Sequence, residues 1–289
     1  MILQKEISNQ AETQKIPKST IDKDWALGHF LAAIYSDQTL RDILVFKGGT
    51  CLRKCWFPEY RFSEDLDFTS RSSSFQFTKK HLETICNHVK NNVGLLTYIS
   101  SLQQLKFKDK LTGYSAIIKF WGADHSRSEN PPSPDRWLTS IKIEIILYET
   151  LIFPPVLKPL HHGYSDQLFI NPNLIPCYSI EEVLSEKIRA LIQRSYTAPR
   201  DFFDIWYLSR NFPEINYPLV IDAFHRKMHF KGLTFTGINQ LINPSNDKSM
   251  KAAWKSSLVH QLPPALFVDY ESVKIDILTL FERIFNLDE

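Results

Sequence analysis

The stretch between residues 45 and 69 most constrains how this chain folds. It reads VFKGGTCLRKCWFPEYRFSEDLDFT, so a short apolar run ends in a glycine pair, a helix-like segment follows, and residues 65–68 then alternate between acidic and apolar. Successive side chains of a strand point to opposite faces of a sheet. The alternation therefore predicts a strand that carries Asp65 and Asp67 on one face and turns its apolar residues toward the core.

The two aspartates and the glycine turn together predict a chemistry. Two carboxylates held side by side repel each other unless a cation lies between them, and oxygen ligands of this kind suit Mg²⁺. The turn Gly48-Gly49-Thr50 leads into a helix, where backbone N–H groups and the helix dipole favour phosphate. A metal site beside a phosphate cradle supports phosphoryl or nucleotidyl transfer. The alternative is a polar turn with surface acids.

A third carboxylate comes from residues 141–145, IKIEI, which alternate cleanly between isoleucine and charged residues. Glu144 could complete a metal triad with Asp65 and Asp67. Lys142, which shares its face, could equally contact a phosphate. The alternative is an ordinary half-exposed strand with a cross-strand Lys/Glu pair.

The segment 180–194 predicts a helix whose apolar face has a lysine at its centre. The residues three and four positions on either side of Lys187 are apolar. The next predicted helix is apolar over 202–208 except for Asp204, and Asp201 lies one turn earlier. Buried charges need partners. Either Lys187 forms a structural ion pair with one of these acids, or it binds nucleotide phosphates and the acids position it.

The organisation of the chain changes near Ser179. Residues 1–21 are polar and aperiodic, which predicts a loose lead-in. Residues 22–178 mix helical and strand patterns, and residues 179–289 favour helices only, beginning with a capping box. The fold class expected is therefore α+β, with a mixed sheet in the N-terminal domain and an all-helical C-terminal domain.

Composition excludes several classes of protein. The chain has 289 residues, 43% of them hydrophobic, which is enough for a sizeable core. The 34 Lys and Arg are balanced by 32 Asp and Glu, so a strongly basic nucleic-acid coat is not indicated. No run approaches 18 uninterrupted apolar residues, so no membrane span is expected, and the N-terminus lacks the apolar core of a signal peptide.

The four cysteines are interpreted as reduced core thiols of a cytoplasmic protein. They form no CxxC pair. A zinc site at Cys51 and Cys55 would need further ligands, which the neighbouring sequence does not offer.

Several separated motifs in one order resemble a known family. They are KGGTCLRK, RFSEDLDFT, IKIEI, SEKIRALIQR and PRDFFDIWYL. Over residues 40–210 they are similar to the AbiEii/AbiGii-type nucleotidyltransferase toxins. The resemblance implies a polymerase-β-like nucleotidyltransferase fold followed by a helical part. It implies an enzyme of a type IV toxin–antitoxin or phage-defence system that uses an NTP with Mg²⁺, or alternatively Mn²⁺, and that has a cognate antitoxin. The acceptor it implies is the 3′ end of a tRNA.

The resemblance also implies roles for matching positions. Two family motifs, the nucleotide-positioning turn and the S-x-D-x-D metal motif, occur in the first half of the chain. Their residues here are Gly48, Gly49, Thr50, Ser63, Asp65 and Asp67. Lys187 matches the essential lysine that holds phosphate, Asp201 the downstream essential aspartate, and Asp204 the second member of that D-x-x-D. The family pattern also favours Glu144 as a metal ligand. Two alternatives stay open: transfer to a protein or small-molecule acceptor, and a non-catalytic module that binds NTP or RNA.

Overall fold

The chain forms two compact units, which are described separately. The computed structural model describes residues 1–126, 128–171, 173–194, 198–242 and 247–285. The sheet unit comprises Met1–Glu149 and Pro155–Cys177, and the helical unit comprises Thr150–Pro154 and Tyr178–Glu289. The expected α+β class is confirmed.

Seven strands make one mixed sheet within the described ranges. In chain order they are β1 (Leu44–Lys47), β2 (Asp65–Ser70), β3 (Leu96–Phe107), β4 (Lys110–Trp121), β5 (Ser140–Ile146), β6 (Val156–Pro159) and β7 (Leu174–Cys177). Their order across the sheet is β3-β4-β5-β2-β1-β7-β6. The acidic strand β2 lies near the centre, antiparallel to β1 and parallel to β5. This topology brings residues that are far apart in the sequence to neighbouring positions.

Five helices accompany the sheet in the described part of its unit. They are α1 (Gln4–Gln14), α2 (Lys18–Ser36), α3 (Gln38–Ile43), α4 (Gly48–Cys51) and α5 (Lys79–Val93). A π-helical turn, Leu52–Trp56, continues α4. Apolar residues of α2 and α5 form one core cluster with Leu66 and Phe68 of β2. The apolar face of β2 is thus buried, and its aspartates lie on the opposite face.

The expectation of a loose lead-in over residues 1–21 is wrong. Helix α1 occupies Gln4–Gln14, and α2 begins at Lys18. Ile7 and Ala11, one turn apart, are buried in the core cluster. The two buried apolar residues of α1 are too few to produce a clear periodic pattern, but packing against a preformed core stabilises such a helix.

Strands β6 and β7 do not follow from the sequence pattern. Each has four residues and contains a proline, Pro159 in β6 and Pro176 in β7. Proline donates no ladder hydrogen bond and argues against a central strand. Residues 174–177 form a strand because they pair with β1, and not because of their own sequence pattern.

The described residues of the helical unit form five α-helices. They are α6 (Ile180–Gln193), α7 (Pro199–Asn211), α8 (Tyr217–Phe230), α9 (Asp247–Ala253) and α10 (Tyr270–Phe285). Ser179 caps α6 by accepting a hydrogen bond from the Glu182 N–H at 3.1 Å. The Glu182 carboxylate accepts from the backbone N–H groups of Ile152 and Phe153, which explains why residues 150–154 belong to this unit. Within the described ranges, no helix has the length and apolarity needed to cross a bilayer.

Candidate active site

The glycine turn packs directly against the acidic strand. Gly48 has a φ of 80°, a left-handed conformation that side chains other than glycine rarely adopt. A Cβ atom at this position would collide with the Asp67 carboxylate. A Cβ at Gly49 would lie 2.8 Å from Arg61 Nη2 and 2.9 Å from Ser63 Oγ. The glycine pair therefore lets the turn approach the S-x-D-x-D segment more closely than any other residues would.

Thr50 fixes this approach with a hydrogen bond. Its Oγ1 donates to the backbone carbonyl of Asp65 at 2.5 Å, and the side chain is buried. The turn and the acidic strand, predicted separately from the sequence, are thus one local structure. It brings together Gly48, Gly49, Thr50 and the three residues of the S-x-D-x-D motif.

The strand register places three carboxylates on one face of the sheet. Asp67 of β2 is paired in parallel with Glu144 of β5 and in antiparallel with Lys47 of β1, and Asp65 is paired with Lys142. Side chains in register on neighbouring strands point to the same side. All five of these side chains are therefore neighbours on the face opposite the core.

The charges of this cluster act on Asp67. Burial raises the pKa of Asp67 to about 6, and the nearby charges of Asp65 and Glu144 also raise it. The ammonium groups of Lys47 and Lys142 oppose this rise. Burial is the largest cause of this rise, so a cation bound on this face would favour the ionised form of Asp67.

The donor atoms of this cluster fit a hard divalent cation in chemistry. Carboxylate oxygens are the ligands that Mg²⁺ and Mn²⁺ prefer, and both aspartates are half-buried rather than sealed in the core. The three acids are not among the described ligand groups whose donor atoms all lie within 4.8 Å of one another. Glu144 instead forms an ion pair with Lys142, which engages one of its two carboxylate oxygens.

Lys187, Asp201 and Asp204 form a second cluster, in the helical unit. Lys187 Nζ lies 3.1 Å from Asp201 Oδ1 and 2.5 Å from Asp204 Oδ2. Both aspartates are buried, and Arg194 also forms an ion pair with Asp201. The lysine therefore pairs with both acids, where the sequence left open which one it would choose.

The sequence pattern did not predict the partners of three cationic side chains near the turn. Lys47 lies beside Asp67, whereas Arg53 and Lys54 both contact Asp24 of α2, at 2.8 and 2.7 Å. This buried ion-pair network ties the π-helical turn to α2. The motif KGGTCLRK contains all three cations, but their partners become apparent only in the folded chain.

Comparison with known proteins decides the family. The family model of the nucleotidyl transferase AbiEii toxin, of type IV toxin–antitoxin systems, matches residues 29–271. The chain belongs to the AbiEii nucleotidyltransferase toxin family. The family indicated by the sequence motifs is thereby confirmed, and with it the assignment to the nucleotidyltransferases of type IV toxin–antitoxin systems.

Solved structures share the AbiEii fold seen here. MenT4, a nucleotidyltransferase toxin from Mycobacterium tuberculosis H37Rv, superposes with a TM-score of 0.53 at 16% identity, covering 97% of this chain and 99% of that one. A candidate nucleotidyltransferase from H. pylori gives a TM-score of 0.50 at 18% identity, covering 90% and 94%. At these identities the likeness concerns the fold alone.

A local sequence similarity of another kind also occurs. Over 99 residues the chain is 34% identical to the pre-glycoprotein polyprotein GP complex of Sabia mammarenavirus. The match spans 32% of this chain and about a fifth, 19%, of the polyprotein. It carries no argument about the fold or the activity of this AbiEii protein.

Proposed function

We propose that this AbiEii protein transfers an NMP group from an NTP to an acceptor hydroxyl and releases pyrophosphate, in a Mg²⁺-dependent reaction. The observation that carries the proposal is the packing of Asp67 against the glycine turn, with Asp65 and Glu144 on the same face of the sheet. Carboxylates grouped beside a glycine turn that begins a helical segment would be completed by a divalent cation and a triphosphate.

Asp65 and Asp67 hold the cation in this proposal, with Glu144 as the third ligand. Mn²⁺ would serve in place of Mg²⁺. When bound, the cation neutralises charge on the triphosphate and aligns the attacking and leaving oxygens. Lys142 and Lys47, which already face this cluster, then become available to phosphate oxygens.

The glycine turn positions the triphosphate. The backbone N–H groups at Gly48 and Gly49 begin a helical segment, where they and the helix dipole favour phosphate. Thr50 holds that turn against Asp65, and the Ser63 hydroxyl lies close to Gly49. These residues bind and orient the nucleotide and need not exchange protons with it.

Lys187 neutralises phosphate charge in this proposal, and Asp201 and Asp204 set its position. Two buried carboxylates pair with this lysine and fix the direction of its ammonium group. Asp201 would also orient the acceptor. The observed ion pairs are equally those of a structural cluster, so a double variant of Lys187 and Asp204 is needed to separate the two roles.

The acceptor proposed is the 3′ end of a tRNA, on the basis of the family resemblance. The test incubates the purified protein with Mg²⁺, each α-labelled NTP in turn and total bacterial RNA. Asp65→Asn and Asp67→Asn are the test variants. Asp109→Asn, an exposed carboxylate in the β3–β4 turn, is the matched control. Ribonuclease-sensitive label in a tRNA-sized band, made by wild type and control only, supports the proposal.

Other outcomes assign other functions. Label that survives ribonuclease and migrates with protein or a small molecule changes the acceptor but keeps the reaction. NTP binding by calorimetry, without label in any acceptor and with folding confirmed by circular dichroism, would make the protein a binding module and would reject the proposed reaction.

Family membership further leads us to propose a separately encoded antitoxin, a cytoplasmic site of action and a role in phage defence. The test expresses the wild type and Asp65→Asn from a tightly controlled promoter in a bacterial host. Growth arrest by the wild type alone, relieved by co-expression of a neighbouring gene, supports the proposal. Unimpaired growth at strong expression of the active enzyme would contradict the toxin role.

A further inference from the structure

Three buried thiols converge behind the glycine turn. The Sγ atoms of Cys51, Cys55 and Cys177 all lie within 4.8 Å of one another, and the residues are 0%, 2% and 0% exposed. The thiols of Cys51 and Cys177 are close enough to Cys55 to hydrogen-bond with it. The fourth cysteine, Cys86, lies outside this group and is only half-buried. None of the three takes part in the proposed transfer reaction.

The fold brings these thiols together from distant parts of the chain. Cys51 ends α4, and Cys55 lies four residues later in the π-helical turn, so both point to the same side of one helical segment. Cys177 ends β7 and is paired in parallel with Phe46 of β1, the strand that leads into the glycine turn. This third thiol is the ligand that the local sequence lacked.

Cationic groups surround the thiol cluster. The charge of Lys54 acts on Cys55, and that of Lys158 acts on Cys177. The His161 backbone N–H donates to the Lys54 carbonyl at 2.7 Å, which fixes the loop after β6 next to the π-helical turn. A cluster of thiolates on a divalent metal is negatively charged, and these cations offset that charge.

We propose that Cys51, Cys55 and Cys177 bind one Zn²⁺ ion as thiolates. Tetrahedral zinc with Zn–S bonds of about 2.3 Å places its sulfurs about 3.8 Å apart, so small side-chain shifts suffice to close the site. Three thiols release three protons as they bind the ion, and no oxidant or reductant is needed. His161, whose ring is near enough to act electrostatically on Cys55, would have to move toward the sulfurs to fill the fourth position. The ion would join the helix after the glycine turn to β7.

The complete burial of the sulfurs implies that zinc is acquired during folding and retained. The test therefore purifies the full chain from zinc-supplemented culture without chelators. Metal per chain is measured by mass spectrometry and by release with a mercurial reagent. We expect about one zinc per chain in the wild type and in the control Cys86→Ser. We expect roughly tenfold less in Cys51→Ser, Cys55→Ser and Cys177→Ser.

A second measurement keeps the proposal testable if these variants fold poorly. Exchange of Co²⁺ into the wild type should produce thiolate-to-cobalt charge-transfer absorption and the visible bands of tetrahedral cobalt. A carboxylate site would not produce the charge-transfer band. Wild-type protein that is free of zinc and shows no such band overturns the proposal. Zinc that is retained in folded Cys177→Ser would also overturn the proposal. So would metal-free wild-type protein in which two of the thiols have formed a disulfide. None of these outcomes bears on nucleotide transfer.

Discussion

Thr50 Oγ1 donates a hydrogen bond to the backbone carbonyl of Asp65 at 2.5 Å, which joins the glycine turn to the strand of the metal motif. Thr50→Val keeps the shape of the side chain but removes the donor. We expect it to lower the free energy of unfolding by about 1–2 kcal/mol, because a buried carbonyl loses its partner. We also expect about a tenfold loss of kcat/KM, because the turn is no longer held in place.

Thr50→Ser is the matched control, since it retains the hydroxyl. Urea unfolding and NTP-dependent labelling would be measured on all three proteins. Equal activity of Thr50→Val and Thr50→Ser would show that the bond contributes to folding only.

Gly48 and Gly94 provide a matched pair of glycines with left-handed backbone. Their φ angles are 80° and 70°, but a Cβ at Gly94 would meet nothing within 4 Å, whereas one at Gly48 would collide with Asp67. We expect Gly94→Ala to cost about 1–2 kcal/mol of stability from backbone strain alone. Gly48→Ala should cost more and lower activity by about a hundredfold, because it also displaces a proposed metal ligand.

Thermal unfolding and the labelling assay distinguish strain from displacement. A loss of activity in proportion to the loss of stability, in both variants, would reject a specific role for Gly48 in positioning Asp67.

The raised pKa of Asp67 predicts a pH-dependent stability. Because this pKa is about 6 in the fold against 3.8 for an ordinary aspartate, the folded chain binds more protons between these values. The contribution of Asp67 to the free energy of unfolding therefore falls as the pH rises from about 4 to about 6, and it stays low above pH 6. At pH 7.5 without Mg²⁺, Asp67→Asn should be more stable than the wild type by about 1–2 kcal/mol, since partial exposure weakens the effect.

This difference should vanish only well below pH 3.8, where Asp67 is protonated in both the folded and the unfolded state. Urea titrations at several pH values measure it, with Asp109→Asn as a control that should follow the wild type. Adding Mg²⁺ should stabilise the wild type and not Asp67→Asn. A stability gain that is independent of pH would contradict the assigned titration.

The buried cluster around Lys187 allows its structural and chemical roles to be separated. Lys187→Met leaves the fully buried Asp204 without this cation and should cost about 3–5 kcal/mol. Adding Asp204→Asn removes the buried charge and should recover most of that loss. Asp201 keeps its ion pair with Arg194 in both variants.

If Lys187 binds phosphate, the double variant should be stable but inactive, and Asp204→Asn alone should keep measurable activity. A double-mutant cycle in stability, combined with NTP titration, makes the comparison. Full activity of the Lys187→Met/Asp204→Asn protein would leave the lysine with a structural role only.

Most of the candidate site could be predicted because its elements are local in sequence. The alternation in residues 65–68 and in 141–145 determines which side chains share a face, since the two-residue period of a strand requires no tertiary information. The helix with Lys187 at the centre of its apolar face is likewise a matter of periodicity. The sequence did not predict α1, β6 and β7, because each of them buries few residues and depends on contacts with other parts of the chain.

The sequence by itself determined the acidic face of β2, the glycine turn, the α+β class and the family, because each depends on neighbouring residues or motif order. The tertiary structure alone decided which strand lies beside β2 and which cations face Asp67. It also decided that Cys177 joins Cys51 and Cys55. Such pairings depend on the order of strands in the sheet, which is set by burial of the whole core and not by any local pattern.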